Sequence, residues 1–160
     1  MTEVWVTGLG FITSIGCDKS QVSDRLYNLK HGISLPSMLQ VPESPVKVAG
    51  TIDEFELDSA DPEDWKFPNE YNVPRSVLRS FSPHVLYAWC SLQQAIKDAN
   101  INSLDLRDPE SGIYTASGGS MRSIHKHFEK MDRKGVMACN PLAIVSSIAG
   151  TLTFNLVAAL

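Results

Sequence analysis

The 160-residue sequence is poor in cysteine and has no strong charge of either sign. Its three cysteines, Cys17, Cys90 and Cys139, lie far apart and form no CxxC pair, which argues against a disulfide framework and a zinc site. The formal net charge of -4 gives no global attraction to nucleic acid or to an anionic membrane. We therefore expect a cytoplasmic protein without a metal or other cofactor, whose acidic partners must meet a local basic patch.

The sequence also lacks a basic leader and an uninterrupted apolar run. Met1-Thr2-Glu3 carries an acid and leads directly into apolar residues, unlike a signal peptide. Residues 141–160 are long enough to cross a bilayer, but five hydroxyl or amide side chains interrupt them. Neither secretion nor a membrane span is expected.

The composition fits one globular domain over residues 1–160. Hydrophobic residues make up 43% of the chain and charged residues 20%, which is enough apolar material for a core. Six of the nine prolines lie between Pro36 and Pro74, and seven acids lie between Asp53 and Asp64. Residues 35–75 are therefore predicted to be mostly a surface excursion.

The remaining pattern predicts alternating strands and helices. β-branched and aromatic residues predict strands at 4–7, buried on both faces, at 46–52 and at 111–116. Apolar residues at helical spacing predict helices at 19–31, capped by Asp18 and Gly32, at about 82–99, and after Ser120. This order indicates an α/β protein with a central sheet.

Residues 141–160 predict one more helix, rich in small residues that suit close packing in an interior or a subunit interface. The final residues, 157–160, contain no glycine, polar cap or basic turn, although the last carbonyls of a helix need partners. We expect the domain to be truncated here, with the apolar face of this helix exposed.

The glycine loop Thr7-Gly8-Leu9-Gly10 follows the first predicted strand, as in dinucleotide-binding proteins. The third glycine of that fingerprint is replaced by Thr13, and Lys30-His31 occupies the place of the ribose-binding acid. A tight structural turn is the favoured interpretation.

The histidines and cysteines do not form a recognisable catalytic or metal site. His125 and His127 are two residues apart, so on a helix they point in different directions. Cys90 lies within an amphipathic helix, whereas Cys139 precedes the helix that begins at Pro141 and is the better candidate nucleophile. A packing or lining role is favoured for both thiols.

One basic stripe stands out on this acidic chain, formed by Arg122, Lys126, Lys130 and Lys134 at four-residue spacing. Such a stripe is either a solvated helix face or a surface that steers an acidic protein partner. The sequence leaves both interpretations open.

Several segments, in order, resemble the elongating β-ketoacyl-ACP synthases of fatty acid and polyketide synthesis. Residues 6–16, VTGLGFITSIG, resemble the first strand and turn of that family, and the Ser-Ile-Gly ending is similar to the KAS I branch. His31-Gly32-Ile33 resembles the end of its first helix, and residues 79–99 resemble the helix before its next strand. Ser117-Gly118-Gly119-Ser120 is similar to its glycine-rich turn, with Ala116 in place of the usual glycine.

The resemblance implies the N-terminal half of a thiolase-like fold, a mixed central sheet with helices on both faces. It implies acyl transfer from carrier protein to a Cys, decarboxylation of malonyl-ACP with two His stabilising the enolate, and Claisen condensation. In the family those residues follow the segment that residues 141–160 resemble. No catalytic residue is therefore assigned here, and this chain alone is expected to be inactive.

The resemblance also implies two sets of site residues. Gly118, Gly119 and Cys139 are expected beside the acyl pocket. Arg75, Arg79, Arg133 and Lys134 are expected to dock an acidic acyl carrier protein. A homodimer, or a heterodimer with another ketosynthase subunit, is implied as well.

Three hypotheses follow from the sequence. The leading one is a condensing synthase whose catalytic residues lie outside residues 1–160. The second is a non-catalytic partner of the chain-length-factor type, which shapes the pocket of a heterodimer. The third, a nucleotide-binding half domain, requires measurable NAD or ATP affinity and is the least favoured.

Overall fold

The computed structural model describes residues 3–102 and 106–160. Met1 and Thr2, part of the N-terminus discussed above, lie outside the described residues. The elements are α1 (Lys19–Tyr27), β1 (Ile33–Ser34), β2 (Ala49–Gly50), α2 (Arg75–Leu78), α3 (Pro83–Ala99), α4 (Met121–Lys134), α5 (Ala143–Ser147) and α6 (Thr151–Ala159). Short 3₁₀ turns lie at Ser37–Leu39, Pro62–Asp64 and Val136–Ala138.

Helix α3 is the centre of the core and confirms the helix predicted at about 82–99. It begins with a proline at its first position, where a missing N–H costs nothing, and ends at Asn100 in the left-handed conformation. Val85, Leu86 and Cys90 on its inner face are fully buried. Leu152 and Leu156 of α6 pack into the same cluster.

The N-terminal glycine loop, residues 7–10, packs directly against α3. A Cβ added at Gly8 would stand 2.2 Å from the Ala95 carbonyl oxygen. The Leu9 N–H donates to Asp98 Oδ2 at 3.0 Å, and the Phe11 N–H donates to Gln94 Oε1 at 2.9 Å. These glycines serve close packing against a helix, which confirms the structural interpretation of the loop.

Helix α1 is shorter than predicted. Its cap is confirmed, because Asp18 Oδ1 accepts the Gln21 N–H at 2.8 Å. The expected end at Gly32 is wrong: Leu29 takes the left-handed conformation, with φ of 52°, and the Lys30 N–H bonds back to the Arg25 carbonyl. Leu29 is 92% exposed, so the apolar face of α1 is largely unpacked here.

Most of the residues predicted to be strands are not paired into a sheet within the described residues. Residues 4–7 and 111–116 form no sheet ladder, and Val4, expected to be buried, is 91% exposed. The predicted strand at 46–52 forms only β2, which pairs antiparallel with β1 in the register Ile33↔Gly50. A strand needs a neighbour to satisfy its N–H and C=O groups, and none of the described residues supplies one to 4–7 or 111–116.

The excursion at 35–75 is mostly at least partly exposed, as predicted, but it also builds the core. Phe55 and Tyr71 are buried and join the α3 cluster, with Trp65 and Phe67 packed against it. The Tyr71 ring lies 6.5 Å from that of Phe55, and its hydroxyl contacts Gln94 of α3. The proline and acid content predicted that this segment lies at the surface, but it did not predict that its aromatic side chains pack into the core.

Residues 141–160 form two helices instead of the single helix predicted. Ile148 is extended between α5 and α6, because the carbonyl of Ser147 accepts a hydrogen bond from the Ser120 N–H at 2.9 Å. The Ser146 and Ser147 hydroxyls also bond back to Ala143, which competes with helix propagation. Phe154 of α6 is 70% exposed, in line with the apolar face expected there.

No helix within residues 3–102 and 106–160 combines the length and apolar character needed to cross a bilayer.

Candidate functional site

Three acids in residues 58–63, called here the acidic strap, hold cationic side chains from two helices. Asp58 and Asp61 face α4, and Glu63 faces α2. The strap runs into the 3₁₀ turn Pro62–Asp64, whose proline is buried. A hydrogen bond from the Trp65 indole to the Ser59 carbonyl, at 2.9 Å, ties the strap to the core.

The basic stripe of α4 meets this strap. Arg122 Nε lies 2.9 Å from Asp58 Oδ1, and Lys126 Nζ lies 3.5 Å from Asp58 Oδ2. Lys130 Nζ lies 2.5 Å from Asp61 Oδ1, and its side chain is only 12% exposed. Residues four apart share one helix face, so two carboxylates of the strap pair with all three cations.

The stripe is not uniform, because the side chains of Arg122 and Lys126 remain 55% and 31% exposed whereas that of Lys130 is covered. Neither a solvated face nor a free partner surface fits Lys130, because the strap covers it. Lys134 is exposed and makes no ion pair within the described residues. The sequence could not reveal this arrangement, since Arg122 and Asp58 are 64 positions apart.

Two of the predicted docking residues, Arg75 at the start of α2 and Arg79 directly after its end, bind the same carboxylate. Arg75 Nη2 is 2.7 Å from Glu63 Oε2, while Arg79 Nε and Nη2 are 3.0 and 2.9 Å from Glu63 Oε1. The arginine side chains remain 78% and 67% exposed. Positions four apart on a helical turn place both guanidinium groups on one side, within reach of one carboxylate.

The other two predicted docking residues lie on the last turn of α4. Arg133 and Lys134 are both exposed, and Arg133 Nε donates to the Glu129 carbonyl at 3.2 Å. Gly135, which follows them with φ of 80°, ends the helix. Its carbonyl oxygen lies 3.8 Å from the Cys139 sulfur, so this cationic end borders the Cys139 loop.

Cys139 lines an open groove of about 560 Å³ together with one docking arginine. The groove lies between the Pro62 turn and the Cys139 loop, and Glu63 and Arg79 are on its wall. The Asn140 side-chain amide donates to the Arg79 carbonyl at 2.9 Å, which fixes the loop against α2. The structure thus places Cys139 and Arg79 on the wall of one groove.

The glycine turn at 118–119 lies elsewhere, against the junction of α5 and α6. Gly119 has φ of 74°, and a Cβ there would stand 2.6 Å from the Ser147 carbonyl oxygen. A Cβ at Gly118 would meet nothing within 4 Å. Gly118 is exposed and faces open space, whereas Gly119 is required by packing and backbone conformation.

The two buried thiols, Cys17 and Cys90, are poorly suited to act as nucleophiles. Burial raises the pKa of Cys90 to about 12, and burial is also the main cause of the raised pKa of Cys17. A thiolate is the reactive form, so both side chains are packing groups. Cys139, partly exposed at the groove, is the most accessible of the three.

The histidines form no catalytic pair within the described residues. Burial lowers the pKa of His84, whose Nδ1 lies 2.9 Å from the Ser82 hydroxyl. Burial, aided by the charge of Lys130, lowers the pKa of His127 as well. Within residues 3–102 and 106–160, no cluster of three His, Cys, Asp or Glu side chains is placed to hold a metal.

Sequence reasoning missed Glu63, the residue that joins the two docking arginines. Glu63 is one of the seven acids between Asp53 and Asp64, and such a density of acids predicts a surface segment but not its ion-pair partners. Their pairing depends on how the excursion folds back, and that is set by Phe55 and Tyr71 in the core.

The backbone defines a thiolase-like fold. It matches the crystal structure of a β-ketoacyl synthase from Burkholderia phymatum STM815 with a TM-score of 0.66 and 21% identity. The match covers 94% of this chain and 35% of that chain, which confirms the predicted fold class as an N-terminal portion of that fold.

The family follows from the sequence profile. Residues 1–158 match the family described as "Beta-ketoacyl synthase, N-terminal domain", and the chain belongs to this family. It is 32% identical over 127 residues to 3-oxoacyl-[acyl-carrier-protein] synthase 1 of Buchnera aphidicola subsp. Schizaphis graminum, covering 78% of this chain and 28% of the relative. The corresponding Haemophilus influenzae protein is 26% identical, covering 96% of this chain and 35% of the relative. The chain thus spans about a third of the length of these relatives.

Proposed function

We propose that this chain works as the N-terminal part of an elongating β-ketoacyl-ACP synthase. The observation that carries the proposal is the family match along residues 1–158, in which the relatives are 3-oxoacyl-[acyl-carrier-protein] synthases. The activity would be decarboxylative Claisen condensation of an acyl group with malonyl-ACP, in fatty acid or polyketide synthesis. A cytoplasmic location and a homodimer or heterodimer remain predictions of the same proposal.

In this proposal the chain supplies scaffold, pocket wall and docking surface, while the nucleophilic Cys and the two His come from outside residues 1–160. The raised pKa values of Cys17 and Cys90 support that division, because neither thiol is suited to attack an acyl thioester. Cys139 lines a groove, and its sulfur contacts the backbone carbonyl of His127 at 3.9 Å. We assign Cys139 to the wall of the acyl pocket. Gly118 and Gly119, which lie at the α5–α6 junction and not in the Cys139 groove, are proposed as a separate part of that wall.

The docking surface is formed by Arg75, Arg79, Arg133 and Lys134. The first two are highly exposed and lie beside each other, and the last two end α4 next to the Cys139 loop. Exposed cations on two elements that both border the Cys139 loop suit a weakly held acidic protein, because they steer association without burying unpaired charge. The groove beside Arg79 would place a delivered acyl group near Cys139.

Carrier-protein binding by the natural gene product tests this function. Replacing Arg75 and Arg79 together by alanine is expected to weaken acyl carrier protein binding about tenfold, as two exposed charge contacts would. Arg25→Ala on α1 changes the net charge by one unit on a surface outside the predicted docking site and serves as the control. Titration by fluorescence anisotropy at low salt measures the effect.

Equal binding by the wild-type protein and the Arg75/Arg79 variant would overturn the docking assignment. The non-catalytic partner hypothesis makes the same binding prediction and differs in chemistry. The two hypotheses are distinguished by adding acyl-ACP and measuring, by intact mass, whether the acyl group is transferred to the protein. A synthase gains the acyl mass, whereas a chain-length-factor-type partner does not.

A further inference from the structure

Glu63 sits between the two predicted docking arginines and bonds to both. Its Oε2 accepts from Arg75 at 2.7 Å, and its Oε1 accepts two hydrogen bonds from Arg79 at 3.0 and 2.9 Å. The carboxylate is 33% exposed, about half as exposed as either arginine side chain. Both of its oxygens are therefore engaged within the chain.

This bridge reduces the positive field at the proposed docking surface. Two guanidinium charges and one carboxylate leave a local charge of one unit instead of two. Each guanidinium has five N–H donors, of which Glu63 takes one from Arg75 and two from Arg79. Donors thus remain for a partner's carboxylates, but each new bond is made against the field of Glu63.

The bridge is built into the fold. Glu63 belongs to the 3₁₀ turn Pro62–Asp64, whose Pro62 is buried, and this turn packs against α2. Asp58 and Asp61, earlier in the acidic strap, are already paired with α4. The strap is consequently fixed on both sides, and Glu63 is presented to the arginines by a fixed backbone.

We propose that Glu63 is an internal competitor that weakens the docking of an acidic carrier protein at Arg75 and Arg79. This inference rests on the proposed function and deepens it. A carrier protein that dissociates after every transfer requires a docking surface with fast association and only modest affinity. Glu63 provides that weakening without removing the arginines, because a partner carboxylate has to share or replace its hydrogen bonds.

The test is the affinity of the natural gene product for acyl carrier protein with Glu63→Gln. Glutamine keeps the shape and one acceptor but removes the charge. We expect about threefold tighter binding and a steeper loss of affinity with salt, as for two unopposed exposed cations. The gain should disappear when Arg75→Ala and Arg79→Ala are added.

Asp64→Asn is the matched control. It lies next to Glu63 in the same turn and removes the same charge, but Asp64 accepts from the Ser59 hydroxyl and not from an arginine. A smaller gain than that of Glu63→Gln is expected. An equal gain in affinity from the two variants would mean that only the total charge of the surface matters. Weaker binding by Glu63→Gln would mean that the bridge holds the arginines in position for the partner. Either result overturns the inference.

The proposed function and this inference fail in different ways. If the wild-type protein binds no carrier protein, the proposed function is contradicted and the inference falls with it. If the wild type binds, and the arginine variants bind less, while Glu63→Gln is unchanged, only the inference is wrong. Circular dichroism of each variant checks the fold, which exposed ion pairs support only weakly.

Discussion

Gly10 lies so close to Ser91 that an added Cβ would stand 1.9 Å from the Ser91 carbonyl oxygen. The N-terminal loop therefore rests directly on the backbone of α3, with no side chain between them. The hydrogen bond from Phe11 to Gln94, three residues further along α3, holds the loop in place. A glycine pattern that invites a nucleotide interpretation is thus explained by helix packing.

Gly10→Ala is expected to destabilise the protein by about 2 kcal/mol or more, because a backbone contact cannot move aside for the methyl group. Gly150→Ala is the control, since a Cβ there meets nothing within 4 Å and the backbone is already helical. It should be neutral or stabilise by up to about 1 kcal/mol. Urea midpoints measure both, and equal midpoints for the two variants would contradict the contact.

Lys130→Met should cost about 1–3 kcal/mol of stability, because the ion pair with Asp61 is mostly buried on the lysine side. Methionine preserves the packing of the lysine stem and removes the charge. Lys134→Met, on the same helix but exposed and without an ion pair among the described residues, should change stability by less than about 0.5 kcal/mol. Similar losses in both variants would show that the strap does not support α4.

Stability should fall as the pH is lowered from 7 to 5. Burial lowers the folded-state pKa of His84 and His127 below the ordinary value of 6.5. The unfolded chain therefore binds more protons below that value, and the folded state is disfavoured. The pKa of Asp18, lowered from 3.8 by the Ser20 hydrogen bond, affects stability only at lower pH.

The measurement is the difference in urea midpoint between pH 7 and pH 5. Replacing His84 and His127 together by asparagine should flatten this difference. Lys30→Gln, which removes an exposed cation, should leave it unchanged. A wild-type midpoint that stays level or rises toward pH 5 would contradict the assigned direction.

Thiol labelling should separate the three cysteines. Cys139 is partly exposed, whereas Cys17 and Cys90 are buried and have raised pKa values. Iodoacetamide at pH 8 should modify Cys139 in the native protein and all three only in urea. Cys139→Ser should abolish native labelling; native modification of Cys90 would show that the α3 core opens.

Local signals allowed α3 to be predicted almost to the residue. One continuous segment contains every signal for this helix: the Ser82-Pro83 start and the helical spacing of the apolar residues that form its buried face. Residues 4–7 likewise have strand composition, but a strand requires a partner, and the described residues do not provide one. Composition therefore predicted neither the pairing nor the burial of these residues.

In the candidate site, too, some residues could be predicted from local sequence and others could not. Resemblance to the family was enough to predict a docking role for Arg75 and Arg79, and that role stays a prediction. Glu63, which joins them, and Asp58, which meets Arg122, could not be predicted, because their positions depend on how the excursion folds over the core. Long-range ion pairs have no sequence period from which they could be read.

The most direct test of the proposed synthase is condensation by the natural gene product. The protein is incubated with acyl-ACP and malonyl-ACP, and the carrier-bound products are identified by mass spectrometry. The account predicts a β-ketoacyl-ACP two carbons longer than the acyl-ACP supplied, with release of carbon dioxide. Carrier-protein binding without acyl transfer or condensation would contradict the synthase assignment and favour a non-catalytic partner.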